Sequence, residues 1–412
     1  MKVMFWISEP RARRSAWCRG VAALLCWLNG LAGMTGLIWL GAPAALAAET
    51  FVVSPEGSPL SLQAALAQAQ DGDTVELLPG EYRDAFAVLE NRRLTIRGVG
   101  KAPLIQGGGQ PSGMHKSMWL VRGGDVTLEN LEFRGMRAAD GEGAAVRLQG
   151  GRLTVRRCQF FDNEYSVAAS PDDAAELTIE NSVLGLAPKV VGGLHHLLNV
   201  GRIARLTVSG SRFQQGFEGH MIKSRARQST IAYNFIHDGQ RGGASYEIEL
   251  PAGGVATIIG NVIGQGSESQ NRVVVAYGTD RQPWDRNVLR VSHNTFVNYK
   301  WTPAWFLRVF DEGMSPAPEV VAVNNLLVGP GVFWLGAPGH FAGNRPATLG
   351  MLRDAETYAF ELAPGSVWRG SGVDPRAVAG HDLAPKAEFE WPVGTRALPT
   401  DLTSWSPGAF QK

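Results

Sequence analysis

Cysteine is nearly missing from this 412-residue chain, with three in all, at positions 18, 26 and 158. Two of them fall in the first 47 residues, so the rest of the chain holds one thiol and forms no internal disulfide. A charge of one sign is also missing. Lys and Arg number 39 against 38 Asp and Glu, a formal net charge of +1. A nucleic-acid partner asks for a strong basic excess and is not expected. There is no Cys/His metal spacing, no phosphate-binding glycine loop between a strand and a helix, and no Gly-x-Ser-x-Gly elbow.

The one long apolar run lies at the N-terminus, over residues 21–40. Lys2, Arg11, Arg13, Arg14 and Arg19 precede it, and Ala45-Leu46-Ala47 follows with the small residues of a cleavage site. This pattern reads as an export signal over 1–47, and a periplasmic or secreted location is expected. The run is also long enough to span a bilayer if it stays uncleaved, which would make it a membrane anchor. Past residue 47, five basic residues and one acidic residue fall away, leaving 34 basic against 37 acidic.

Glycine is abundant, at 50 residues, and a phrase recurs among the glycines. It reads Ile231-Ala-Tyr-Asn-Phe-Ile236, Ile258-Ile-Gly-Asn-Val-Ile263, Val291-Ser-His-Asn-Thr-Phe296 and Ala322-Val-Asn-Asn-Leu-Leu327. Its fourth residue forms a column: Leu131, Cys158, Ser182, Ser211, Asn234, Asn261, Asn294, Asn325, in steps of 23 to 33 residues. Short strands repeating at such a period mark a solenoid whose coils bring distant residues side by side. Cys158 stands in this column and reads as core, not as a nucleophile. Ser61 is placed to cap a short amphipathic helix over 62–69, which would cover the open first coil. The coils are expected over 48–329, with an irregular cap over 330–412. Insertions at 278–287 and 311–318 are expected to border the binding face.

The opening over 65–82 (Ala-Leu-Ala-Gln-Ala-Gln-Asp-Gly-Asp-Thr-Val, then Pro-Gly-Glu-Tyr), Leu94-Thr-Ile-Arg-Gly98 and the Asn column resemble the pectate-lyase-like superfamily. The resemblance covers about residues 50–330. It implies an all-β fold, a right-handed parallel β-helix, but no single activity, because the fold carries lyases, hydrolases, epimerases and non-catalytic modules.

The strand before each column residue carries the chemistry. In successive coils these strands read His195-His-Leu-Leu-Asn-Val200, His220-Met-Ile-Lys-Ser-Arg225, Tyr246-Glu-Ile-Glu-Leu250 and Val273-Val-Val-Ala-Tyr277. Strict alternation along a strand predicts that Asn199, Lys223, Arg225, Glu247 and Glu249 face outward as one patch. His196 and His220 would border it, and Tyr277 and Arg308 would extend it. Trp284, in the first insertion, is a candidate sugar-stacking platform. Cations and carboxylates stacked about 4.8 Å apart shift one another's ionisation, and this marks a candidate site. The other reading is a solvated ladder of ion pairs.

Lys223-Ser224 followed by Asn234 is similar to a segment of alginate lyases and chondroitinase B. That resemblance implies Lys223 as the base of a β-elimination, and a calcium for which Glu218 would be one ligand. This chain departs from the pattern where an arginine is expected one coil later, because Glu247 or Glu249 stands there. The leading expectation is an exported monomer acting on a uronic-acid polysaccharide as a lyase or epimerase, with Lys223 taking the proton, Arg225 neutralising the substrate carboxylate, and calcium possible. The alternatives are a hydrolase using Glu247 and Glu249 and a non-catalytic carbohydrate-binding or structural module.

Overall fold

The computed structural model describes residues 47–57, 59–107 and 116–411. The expected export signal, apart from Ala47, lies outside the described residues. Among the described residues no helix is long and apolar enough to cross a membrane.

Residues 48–412 form one compact unit, built as a parallel β-helix. The coils contribute strands to three walls, and at Ser117–Glu129 and Ala144–Arg156 the front and flank strands run on as one. The front wall includes Leu198–Val200, Ile222–Ser224, Ile248–Leu250, Val273–Tyr277 and Ala304–Val309, each paired in parallel with the next. The flank wall includes Ile203–Ser209, Gln228–Ala232, Val255–Ile259, Val288–Ser292 and Glu319–Val323. The back wall includes Arg212–Gln214, Phe235–His237, Val262–Gln265, Thr295–Asn298 and Leu326–Val328. The core is the space the walls enclose, filled by stacked Leu, Ile, Val and Phe. The N-terminal helix, Leu62–Gln68, buries Leu62, Ala65 and Leu66, and Ser61 Oγ accepts from Ala64 N at 3.2 Å.

The column predicted from sequence stands at the corner between flank and back walls. The residue before it turns the chain with a positive φ in coil after coil: 53° at Asn130, 52° at Arg157, 57° at Tyr233, 68° at Gly260 and 52° at His293. At Gly260 the conformation and the space agree, since a Cβ there would lie 2.5 Å from the Tyr233 ring. Behind each turn the column side chain satisfies the coil below. Asn261 Oδ1 accepts from Asn234 N and Asn234 Nδ2, both at 2.9 Å, and Asn294 Oδ1 accepts from Asn261 N at 3.0 Å and Asn261 Nδ2 at 2.9 Å. Ser211 and Ser182 continue the ladder through their hydroxyls to Cys158 N. Cys158 is fully buried and its thiol is pushed up to about 12 by burial, an inert core group.

One further coil follows the expected end at 329. Gly331–Leu335, His340–Ala342 and Arg345–Ala347 pair with the coil before them, and Asn344 adds a rung to the ladder. The repeat escapes notice there because the step from Asn325 is only 19 residues. Residues 348–411 then fold back. Leu352, Phe360 and Phe389 cover the back wall at Phe235, Val262 and Val297, and Val378 and Leu383 cover the flank wall at Val321 and Val323.

Candidate functional site on the front wall

The register aligns one outward column across seven coils: Arg147, Ala168, Asn199, Lys223, Glu249, Ala276, Arg308. Lys223 lies directly between Asn199 and Glu249, as alternation predicts. A second column runs beside it, three residues earlier in each coil. There the rings of Tyr165 and His196 stack at 5.6 Å, His196 and His220 sit 4.6 Å apart, and Tyr246 meets His220 edge-on at 4.8 Å.

Residues three apart on a strand should face opposite ways. Here they share a face because the chain bends at the entry to each front strand, and two consecutive residues turn inward. These inward pairs are Leu197 with Leu198, Met221 with Ile222, Val274 with Val275, and Phe306 with Leu307, all in the core. The same bend corrects one expectation. Glu247 takes the position of Leu197, Met221 and Val274, so it enters the core and leaves the patch. It is fully buried, and neither carboxylate oxygen has a hydrogen-bond partner. Burial, and then the Asp238 carboxyl nearby, push its pKa well above the ordinary value, so it is held as the neutral acid.

The pairing of Glu247 with Glu249 as hydrolytic carboxylates is therefore lost. A stability prediction follows. An acid whose pKa is raised by folding contributes fully below its unfolded value, and that contribution is lost as pH climbs toward the raised one. Glu247→Met, which copies Met221 one coil away, is expected to unfold at a higher temperature than the parent at pH 8 and to differ little near pH 4. Calorimetry over that range measures it, and an unchanged pH slope would show that the carboxyl is not stranded.

Glu249 is the centre of the polar cluster. Its Oε2 lies 3.0 Å from His220 Nδ1 and 3.1 Å from Lys223 Nζ, and its Oε1 accepts from Thr279 Oγ1 at 2.8 Å. Burial alone would raise this carboxyl. The His220 contact, the Lys223 charge and the Thr279 hydroxyl outweigh burial and bring the carboxyl down to about 2. His220 is displaced below its ordinary value by burial, against the opposing pull of Glu249. His196 accepts from His220 N at its Nδ1 (2.9 Å), and burial followed by the His220 and Lys223 charges holds it well below its ordinary value. It is a neutral ring with its proton on Nε2.

The first insertion reaches back over the front wall. Besides Thr279 it brings Asp280, which grips Arg225 through two bonds of 2.7 and 3.2 Å. Arg225 therefore already has its counter-charge. Trp284 departs from the platform reading. Its Nε1 donates to Arg225 O at 3.0 Å, and the Arg202 guanidinium covers its ring at 3.6 Å, so it braces the insertion. Tyr277 also departs from expectation. It pairs with Leu250 on the inward side, is fully buried, and its hydroxyl donates to Gly254 O at 2.5 Å. Arg308 stays in the outward column, three coils from Lys223.

A calcium ion takes six to eight oxygens. Around Lys223 the one carboxylate, Glu249, is already engaged by three side chains. Glu218 is engaged by Gly192 N and Gln270 Nε2 at 2.6 and 3.2 Å. No group of three or more metal-ligating side chains occurs among the described residues. This donor set does not fit a calcium site, and no chemistry is routed through one below. A cavity of about 580 Å³ lies on another face, between the back wall and the tail, lined by Phe235, His237, Asp238, Tyr358 and Trp391. Asp238 there organises a turn by accepting from Gly216 N and Ala244 N at 2.5 and 2.7 Å.

The fold is similar to that of solved structures. The crystal structure of pectate lyase Pel9A aligns with a TM-score of 0.62 at 12% identity, over 89% of this chain and 98% of that one. A family PL6 alginate lyase, AlyGC, aligns at 0.42 and 17% identity over 73% of this chain and 40% of its own. No family model matches the sequence. The first alignment shows the fold, a parallel β-helix, and the residues on the front wall must carry any argument about activity.

Proposed function

We propose that this chain is an exported lyase acting on a uronic-acid polysaccharide, with its reacting centre at Lys223, His220 and Glu249. One observation carries this reading. The His220 imidazole and the Lys223 amino group both lie within 3.1 Å of one Glu249 carboxylate oxygen on the front wall. In β-elimination a base takes the C5 proton, the C5–H electron pair becomes the C4=C5 bond, and the C4–O4 bond breaks as O4 leaves and is protonated. Negative charge grows on the C6 carboxylate in the transition state and calls for a cationic partner there. Arg225, already neutralised by Asp280, holds the insertion over the wall and is a positioning residue.

Lys223 as the base is the first form of this proposal. A second form rests on the 3.0 Å approach of His220 Nδ1 to Glu249 Oε2. With the proton on Nδ1, Nε2 would be a lone-pair acceptor, as in a base oriented by a carboxylate. Lys223, paired with the same oxygen, would then remain an ammonium and meet the enolate charge. The test is a panel of uronate polymers assayed for unsaturated and reducing ends. Ultraviolet-absorbing unsaturated ends are expected from at least one polymer. Reducing ends alone would establish hydrolysis. Tight binding with neither product would establish a non-catalytic module.

A further inference from the structure

We infer that Trp305 and Arg308 form a distal subsite for one uronate residue, three coils along the front wall from Lys223. The inference rests on the uronate reading above. The register runs Lys223, Glu249, Ala276, Arg308, and three steps of about 4.8 Å place Arg308 about 14 Å from Lys223. Trp305 bears the same relation to Arg308 as His220 does to Lys223. It stands three residues earlier, with Phe306 and Leu307 as the inward pair between them.

The same bend puts Trp305 and Arg308 on the outward side of one front strand, with Phe306 and Leu307 inward. Trp305 is 38% exposed, whereas the aromatic Phe306 next to it is in the core. Its side of the wall carries no ring contact that would occupy it, unlike Trp284 beneath Arg202.

Arg308 is prepared for a carboxylate. Its guanidinium lies 4.5 Å from the centre of the Phe310 ring, and its Nη2 is 2.9 Å from Glu312 Oε1. The Arg308 side chain is 18% exposed and the Glu312 side chain 68%, so the partner carboxylate stands on the solvent side of the guanidinium. A ligand carboxylate offers guanidinium the two-oxygen geometry it binds best. Ala276 lies between Arg308 and Glu249 in the register and is covered by its neighbours.

In the other direction Arg147 stands three coils from Lys223, past Ala168 and Asn199. Its Nη2 donates to Glu142 O at 2.8 Å, while its Nε has no partner. The reacting cluster is thus bracketed by two arginines at equal register. A polymer bearing a carboxylate on every ring fits that pattern, with the apolar face of one ring lying on Trp305.

The test compares Trp305→Ala, Trp305→Phe and Arg308→Ala with the parent on uronate oligomers of graded length. The two alanine variants are expected to lose about tenfold in kcat/KM on the polymer and on long oligomers, through KM, and to match the parent on oligomers too short to span three coils. Trp305→Phe is expected to recover most of the loss. On a carboxyl-reduced polymer, examined by retention on an affinity gel, Arg308→Ala and the parent are expected to be equal. Equal effects on short and long oligomers, or none on either, would overturn the subsite while leaving the lyase reading standing. If the parent makes no unsaturated ends from any uronate polymer, the lyase reading fails instead. Gel retention of the uronate polymer by the parent and not by Trp305→Ala would then still support the subsite, and equal retention would reject it.

Discussion

Lys223→Ala is expected to lower the rate of unsaturated-end formation by roughly 100- to 10,000-fold, the range for losing a positioned proton-transfer group. That corresponds to about 3–5 kcal/mol of transition-state stabilisation. The fold should tolerate the change. The Lys223 side chain is 19% exposed at the wall surface, and after its removal Glu249 keeps both His220 and Thr279. His220→Ala is expected to fall in the same range, because it removes a partner of the same carboxylate oxygen. The pH profile separates the two forms of the mechanism. If His220 is the base, activity rises with pH through a value below the ordinary 6.5 of histidine and then levels. Glu249→Gln removes the group that pulls His220 upward, so the acid limb should move to still lower pH. If Lys223 is the base, the histidine limb is absent from the profile and Glu249→Gln alters the rate itself. A profile indifferent to Glu249 would remove this cluster from the chemistry under either form.

The parts of this arrangement that a reader of the sequence can foresee are those governed by repetition. The Asn column announces the coil, and the coil sets Lys223 between Asn199 and Glu249 by counting alone. The placement of Glu247 resists the same counting because strand alternation is a rule for straight chain, and the front strands begin at a bend. The sequence does hold a sign of the bend, in the adjacent apolar pairs Leu197-Leu198, Met221-Ile222, Val274-Val275 and Phe306-Leu307. Two neighbouring inward residues are incompatible with strict alternation. Read that way, Tyr165, His196, His220, Tyr246 and Trp305 fall on one outward line, and Glu247 falls inside. Thr279 and Asp280 are harder to foresee. They sit in an insertion whose direction of folding depends on Trp284 finding Arg225 O and the Arg202 guanidinium, contacts between residues 59 and 82 positions apart. Tyr277 is misjudged for a simpler reason. A tyrosine at the end of a strand looks polar, but its hydroxyl finds Gly254 O within the corner and the ring becomes core.

The other large effect concerns the ladder that makes those coils register. Asn261→Ala is expected to destabilise the protein by about 3 kcal/mol or more. The side chain makes five hydrogen bonds. Its Oδ1 accepts from Asn234 N and Asn234 Nδ2, and its Nδ2 donates to Ile231 O at 2.8 Å, to Asn294 Oδ1 at 2.9 Å and to Ile259 O at 3.2 Å. All of this lies where Asn261 itself is fully buried, so water does not replace what is lost. Each stranded buried group costs about 1–3 kcal/mol, and at least two are stranded. Position along the ladder should grade the effect. Asn344, on the last rung and only half-buried, is expected to cost less when cut to Ala, because solvent can reach its partners. Asn234→Ser should also cost less than Asn234→Ala, since a hydroxyl already serves the same office at Ser211 and Ser182. Denaturant unfolding of the variants measures the series. A flat series, with Asn261→Ala no worse than Asn344→Ala, would show that core packing holds the coils in register and that the amides add little. If instead the middle rungs dominate, loss of Asn234 or Asn261 should also reduce lyase activity, because these rungs belong to the coils that set Lys223 against Glu249.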